Sequence, residues 1–346
     1  MFSKSLSSAI LAVVSVAIAG SDAVAWAAKG RPERAPTYSK VFRVSPLAAL
    51  EQIASLARSS GKLILSAREY KLLFDASQGR LQGWSMDEAA VIVAGATDDA
   101  RIEHYLDELD DLAEQSFEAT QDAITPVERV KALAKFLHDV PMEAGYVSGQ
   151  ASLCKVLDTG HYNCVSSAVL FNLMARRMGI QTGAVALPRH IFSRVDGYDI
   201  ETTSGRVYPV SDRSRRVKES RKAKDNEPGS SFADRLFDEV SDAALLAEVY
   251  FSRAHQLCDD EHFGSSVAGY LKSVCLDQNS HGVANNLKST FKKWFESSLK
   301  DRRYRQAATV ASLYRQMLRK PTDADWMTKD LKKAVSSNAR RPVRMR

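Results

Sequence analysis

The chain has 346 residues, of which 45% are hydrophobic and 26% are charged. This length and composition fit one large or two medium globular domains, and they exclude a disordered chain, a collagen-like fibre and a small disulfide scaffold. The formal net charge is +6, and two stretches rich in Arg and Lys carry the excess, at residues 213–224 and 340–346. Such blocks are typical of solvated loops and frayed ends, and binding of a polyanion or an anionic surface is the alternative.

The first residues have the pattern of a secretory leader. Lys4 precedes an apolar run at residues 9–20, and Ala23-Val24-Ala25 is a small-x-small cleavage pattern. We therefore predict a signal peptide over residues 1–27 and a Pro- and Arg-rich linker over 28–40. The run is shorter than the roughly 20 residues that span a bilayer, and an uncleaved anchor is the alternative. We expect an exported protein, periplasmic or secreted, with no transmembrane segment after removal of the leader.

A helical region is predicted over residues 41–150. Ser-Pro at residues 45–46 is a helix start, and capping boxes at residues 85–88 and 125–128 begin two further helices. The acidic segment at residues 103–118 is expected on an exposed helix.

In the middle of the chain the residue pattern changes from amphipathic helices to one apolar helix followed by short strands, which predicts an α+β fold. Residues 165–178 are apolar nearly all round, which is typical of a buried helix, and Gly179 ends it. Short strands follow, with Asp196-Gly197 as a hairpin turn. Their predicted bounds are residues 182–187, 190–195, 198–203 and 207–210.

The last third is predicted to be helical again, after a basic linker at residues 213–232. Residues 233–337 form the helical region, and a basic tail covers 338–346. Large and small side chains in this region have the spacing of two degenerate tetratricopeptide-like α-hairpins: Tyr250, Ala254, Leu257, Phe263, Tyr270 and Leu276, then Trp294, Tyr304, Ala307 and Ala311. Two interpretations remain open, a groove for a peptide or protein partner and a set of helices that cap the core.

The cysteine and histidine spacings give no metal-ligand pattern. Among the four cysteines no pair is spaced CxxC, and the histidines of the last third lack ligand spacing with one another (Cys154, Cys164, Cys258 and Cys275; His255, His262 and His281). No metal and no cofactor is therefore predicted. Cys258 and Cys275 have a spacing that a disulfide between two packed helices would allow, and Cys154 is expected to be a buried thiol.

Cys164 is the candidate nucleophile. It follows a turn containing Gly160 and stands immediately before the buried helix, so the first backbone amides and the helix dipole would stabilise a thiolate there. The same amides, and the side chain of Asn163, are candidate donors to an oxyanion. A structural thiol is the alternative for this cysteine taken alone. His161 is interpreted as a turn residue.

His190 and Glu201 complete a candidate triad. Pairing across the turn at residues 196–197 brings together residues whose numbers sum to about 393, and His190 and Glu201 sum to 391. The carboxylate would orient the imidazole. Asp199 is the fallback acid, which a register shift of two residues would favour.

These residues lie in segments that resemble the transglutaminase-like superfamily, whose fold is papain-like. The resemblance rests on Gly160-x-x-x-Cys164 before a helix ending in Ala-Arg-x-x-Gly at residues 175–179, on the histidine strand at 183–192 and on the acid segment at 199–203. The SirB-type branch is the most similar, although many of its members carry Ser or Thr in place of Cys164 and the superfamily usually has Asp in place of Glu201. The resemblance implies a catalytic core at residues 151–212, with a central helix packed on a small antiparallel sheet.

The implied chemistry is acyl transfer at a carboxamide or peptide bond of a protein or peptide substrate. Water as acceptor gives hydrolysis, which we favour, and an amine gives cross-linking. The alternative is a catalytically silent scaffold that binds a protein or peptide partner. A polyanion-binding envelope protein is a weaker hypothesis, and no nucleic acid is expected as partner.

Overall fold

The structure, a computed structural model, describes residues 41–58, 65–187, 190–212, 238–278, 282–319 and 325–339. The predicted leader, the basic stretch at 213–224 and the last seven residues lie outside the described residues. Among the described residues, no helix is both long and apolar enough to cross a membrane.

Helices dominate the described part of the chain. They are α1 (Pro46–Arg58), α2 (Ala67–Ser77), α3 (Met86–Ala94), α4 (Asp99–Thr120), α5 (Pro126–Asp139), α6 (Leu153–Thr159), α7 (Cys164–Arg177), α8 (Asp242–Asp259), α9 (Phe263–Leu276), α10 (Val283–Lys300), α11 (Tyr304–Met317) and α12 (Asp325–Ala339). Strands are β1 (Gly145–Tyr146), β2 (His161–Tyr162), β3 (Thr182–Leu187), β4 (His190–Val195), β5 (Tyr198–Glu201), β6 (Arg206–Pro209) and β7 (Asp238–Val240).

The predicted helix starts are confirmed by their caps. The Ser85 hydroxyl accepts a hydrogen bond from the Glu88 amide at 3.0 Å, and α3 begins at the next residue after Ser85. Thr125 and Glu128 form both bonds of a capping box at the start of α5. Each cap satisfies amides that the first helical turn leaves without a carbonyl partner.

The buried helix predicted in the middle of the chain is α7, and it is the centre of the core. Its side chains are buried continuously from Val165 to Ala175. It packs against β3 and β4 on one side and against helices α3 to α6 and α8 on the others. Gly179 follows its end with φ of +74°, a left-handed backbone conformation that favours glycine.

The sheet has the order β6-β5-β4-β3-β7, and all of its pairs are antiparallel. The register between β4 and β5 pairs Ser193 with Ile200 and Val195 with Tyr198. In each pair the residue numbers add up to 393, which confirms the register predicted from the turn at residues 196–197. Strand β7 is a correction, because Asp238–Val240 falls in the region that we predicted to be helical. Its pairing with β3 extends the sheet beyond residue 212.

The C-terminal helices pack in chain order, as α8 with α9 and α10 with α11. The N-terminal helices α1 and α2 also pack on α9. A buried ion pair joins the two regions: Lys272 of α9 lies 2.9 Å from Glu69 of α2, and Tyr250 donates a hydrogen bond to the same carboxylate at 2.7 Å. Cys258 and Cys275 are both free thiols, so no disulfide joins α8 and α9.

Candidate active site

Cys164 stands at the first position of α7, and Asn163 caps that helix. The Asn163 side-chain oxygen accepts hydrogen bonds from the amides of Val165 at 2.9 Å and Ser166 at 3.1 Å. In return, the Ser166 hydroxyl accepts a hydrogen bond from the backbone amide of Asn163 at 2.9 Å. The cap fixes the start of the helix, and Cys164 is half-buried while the residues after it are buried. The positive end of the helix dipole therefore faces the thiol and favours a negative charge there.

His190 and Glu201 lie on neighbouring strands of the sheet, on the same face. His190 is the first residue of β4 and Glu201 the last of β5. Because Glu201 falls opposite position 192, it is the diagonal neighbour of His190. The His190 Nε2 atom and the Glu201 Oε2 atom are 2.8 Å apart. Thr203 donates a hydrogen bond to the second carboxylate oxygen, Oε1, at 2.7 Å. Both oxygens of the acid are thus held.

The electrostatics of His190 and Glu201 agree with the geometry of the pair. A side-chain hydrogen bond with Cys164, followed by the bond to Glu201, raises the pKa of His190 to about 9, although burial opposes the rise. Burial would raise the pKa of Glu201, but the hydrogen bond and the charge of His190 outweigh it and lower that pKa. The imidazole is therefore influenced both by the Cys164 side chain and by a charged carboxylate.

The turn after Glu201 is tethered to three other elements. The Thr202 hydroxyl hydrogen-bonds to the Ser167 hydroxyl of α7 at 2.8 Å, and the Thr202 carbonyl lies 3.1 Å from His138 Nε2 of α5. The Tyr162 hydroxyl donates to the Thr203 carbonyl at 3.2 Å. The sequence did not mark these residues as candidates for the site. Ser167 lies three positions after Cys164, on the same helical face, and that spacing was the available signal.

Two further candidates from the sequence have other partners. The Asn163 amide nitrogen donates to the Ser148 carbonyl at 3.1 Å and to the Ser252 hydroxyl at 3.4 Å, so the side chain that we considered as an oxyanion donor is used within the fold. Asp199, the fallback acid, is almost fully buried and accepts from Arg194 at 2.8 and 2.7 Å. The bond to His190 is formed by Glu201 instead.

The remaining residues that we singled out also have ordinary surroundings. Cys154 is buried, and that burial raises the pKa of its thiol to about 12. His161 is exposed, with its Nδ1 atom 3.4 Å from the Gly145 carbonyl. Within the described ranges, no group of three or more His, Cys, Asp and Glu side chains is placed to hold a metal ion.

One comparison with known proteins gave a match. Residues 103–250 match the family model described as the transglutaminase-like superfamily. The matched range contains Cys164, His190 and Glu201, and it extends through β7 into α8. The search of curated proteins and the search of solved structures each gave no match. The segment that carries the candidate site is therefore similar to the transglutaminase-like superfamily.

Proposed function

We propose that this protein is a thiol-dependent enzyme that transfers the acyl group of a carboxamide or peptide bond. Cys164 is the nucleophile, His190 the acid and base, and Glu201 the group that orients the imidazole. One observation carries the proposal: the His190 Nε2 atom lies 2.8 Å from Glu201 Oε2, and the Cys164 side chain is near enough to the same ring to raise its pKa. A helix start, a strand start and a strand end, far apart in sequence, supply the three groups.

The reaction follows from the positions of the protons. His190 takes the proton of the Cys164 thiol, and the sulfur forms a bond to the substrate carbonyl carbon. When the tetrahedral intermediate collapses, the carbon–nitrogen bond breaks and His190 gives the proton to the leaving amine. Water then attacks the thioester with His190 as base, which releases a carboxylic acid and restores the thiol. An amine in place of water would give a new amide.

Hydrolysis is the favoured outcome. About a third of the His190 side chain is exposed to solvent (32%), and Cys164 is half-buried. An enzyme that transfers acyl groups to amines has to exclude water from the thioester. The open position of the imidazole supports hydrolysis of a peptide or amide.

The proposal also covers the branch of the superfamily, the C-terminal hairpins and the export of the protein. The segment matched by the family model has the SirB-type sequence features described above, and the paired packing of α8 with α9 and of α10 with α11 supports tetratricopeptide-like hairpins that hold a peptide partner. The leader pattern at residues 1–27 supports export to the periplasm or the medium.

Alkylation of Cys164 by iodoacetamide at several pH values tests the proposal. A free thiol with a pKa of about 8.5 is only on the order of 0.3% ionised at pH 6. A thiol paired with an imidazolium should react at least about tenfold faster than N-acetylcysteine at that pH. Mass spectrometry of the Cys164 peptide measures the rate, and the Cys154→Ser variant is the matched control because that thiol is buried. A rate no higher than that of N-acetylcysteine would refute the enzyme and favour the silent scaffold.

A further inference from the structure

The turn that follows Glu201 is buried at its first residue and attached to the nucleophile helix. Residues 202–205 connect β5 to β6, and such connections are normally exposed and mobile. Thr202 is only 2% exposed, and its hydroxyl is hydrogen-bonded to the Ser167 hydroxyl of α7 at 2.8 Å. Ser167 lies about one helical turn after Cys164. The turn that carries the acid is therefore attached to the helix that carries the nucleophile.

His138, in the last turn of α5, contacts the turn at both of its ends. Its Nε2 atom lies 3.1 Å from the Thr202 carbonyl oxygen. At the other end, a Cβ atom added to Gly205 would meet Cδ2 of the ring at 3.3 Å, so the ring packs closely on that glycine. Because a carbonyl oxygen only accepts, Nε2 carries the hydrogen, as it does both in the imidazolium and in one neutral tautomer. The bond therefore does not depend on whether the ring is charged.

Tyr162 holds the His138 ring and the next carbonyl of the turn. The two rings meet edge to face, with centroids 5.4 Å apart and planes at 81°. The Tyr162 hydroxyl donates to the Thr203 carbonyl at 3.2 Å, so aromatic side chains fix two successive carbonyls of the turn. The Thr203 hydroxyl donates to Glu201 Oε1 at 2.7 Å. The position of the carboxylate thus follows from the position of the backbone at residues 202–203.

We propose that His138 is a positioning residue for Glu201. By holding the Thr202 carbonyl it fixes the turn, so that the carboxylate stays 2.8 Å from His190. This inference rests on the proposed function, because it gives His138 a part in supporting the pair formed by His190 and Cys164. Without the bond, the carboxylate would sample longer separations from the imidazole, and a displacement of about 1 Å is enough to weaken such a site.

The ratio of Cys164 alkylation rates by iodoacetamide at pH 6 and pH 10 tests this role. The ratio reports the ionised fraction of the thiol at pH 6 and corrects for access to the sulfur. His138→Gln places an amide N–H near the position of Nε2, whereas His138→Asn carries the same amide on a side chain one methylene shorter, which does not reach the Thr202 carbonyl. His138→Leu removes the donor altogether. Circular dichroism and the melting temperature show whether each variant is folded.

We expect His138→Asn and His138→Leu to lower the ratio about threefold or more, as the loss of one hydrogen bond implies. His138→Gln should keep it within about 1.5-fold, because the donor is retained. If His138→Leu does not fold, the pair of Asn and Gln variants carries the test. An unchanged ratio in His138→Asn would overturn the inference, and so would an equal fall in His138→Gln and His138→Asn.

A double-mutant cycle with Glu201→Gln separates positioning from a general loss of stability. If His138 acts through the carboxylate, His138→Asn should change the ratio by less than about 1.5-fold once Glu201→Gln is present. His104→Asn is the matched control, because that histidine is exposed on α4 and lies 3.3 Å from Glu108 of the same helix. It should leave the ratio unchanged. An equal fall with and without Glu201→Gln would overturn the inference, whereas slow alkylation of the unaltered protein at pH 6 would refute the proposed function.

Discussion

Replacing Glu201 with Gln removes the negative charge beside His190 while it keeps the shape of the side chain. The carboxylate lies 2.8 Å from the imidazole, and only 17% of its side chain is exposed. The lowered pKa of Glu201 means that the group is charged at neutral pH. A Gln oxygen can still accept from Thr203, so the turn should be retained. The change therefore isolates the charge.

The size of the expected fall in the pKa of His190 follows from the strength of its hydrogen bond to Glu201. A hydrogen bond to a charged group contributes about 1.5–3 kcal/mol and a neutral one about 0.5–1.5 kcal/mol, so the midpoints differ by about 1.25 kcal/mol. That corresponds to about one pKa unit. The pKa of His190, raised to about 9 in the intact protein, should fall by about that amount. The imidazolium–thiolate pair should then lose population relative to the neutral pair by up to about tenfold.

The ratio of Cys164 alkylation rates at pH 6 and pH 10 measures this population. At pH 10 even an ordinary thiol is ionised, so the ratio corrects for changes in access to the sulfur. We expect Glu201→Gln to lower the ratio about three- to tenfold, with circular dichroism and the melting temperature confirming that the variant is folded. Glu201→Asp should lower the ratio as well, because the shorter side chain loses reach. If Glu201→Gln leaves the ratio within twofold of the unaltered protein, the acid does not support the ion pair and the reasoning fails.

Two predictions concern the carboxylate and the amide that have structural partners. Asp199→Asn should destabilise the fold by about 3 kcal/mol in urea denaturation, because Arg194, with 13% of its side chain exposed, would lose its buried partner. The alkylation ratio of Cys164 should not change in that variant, and a fall would show that Asp199 also acts on His190. Asn163→Ala should cost about 1–2 kcal/mol through the lost helix cap, also measured in urea, and a cost below about 0.5 kcal/mol would contradict the capping role.

Much of the candidate site could be predicted because it depends on local rules. The turn at residues 196–197 sets the register of β4 and β5, and a two-residue turn leaves little freedom for a slip. Once the register is fixed, side chains an even number of positions apart share one face of the sheet. Glu201 lies opposite residue 192, which is two positions from His190 on the same face. The register of the hairpin therefore already predicts the contact between His190 and Glu201. The same reasoning explains why Asp199 faces Arg194, its direct partner in the ladder.

The parts that could not be predicted depend on long-range pairing. Strand β7 has three residues and lies more than fifty positions after its partner β3. A segment that short has too few positions for a period of two to be recognised. Strands β1 and β2 have two residues each and pair in parallel, with α6 between them. Their pairing sets Tyr146 opposite Tyr162, two residues before Cys164, and no local signal in the sequence predicts it.

The role of Asn163 shows why a residue type beside a nucleophile does not fix its function. Asn is both a good helix cap and a possible oxyanion donor, and the sequence allows either. The cap requires only the side-chain oxygen. In the structure, the side-chain nitrogen of Asn163 donates to the Ser148 carbonyl and the Ser252 hydroxyl, so both of its hydrogens are used within the fold. Ser252 belongs to α8, which the sequence assigned to a separate C-terminal region.

The contacts of α8 also bear on how far the unit that holds Cys164 extends. This helix packs on α7 and β3, and its first half falls within the matched range. Its residue Ser252 accepts a hydrogen bond from Asn163, which caps α7. Since β7 completes the sheet immediately before α8, the unit that holds Cys164 in place extends well past residue 212. A fragment that ended at residue 212 would leave the β7 edge of β3 unpaired and would lack the packing of α8 on α7. The C-terminal helices therefore begin as part of the support of Cys164.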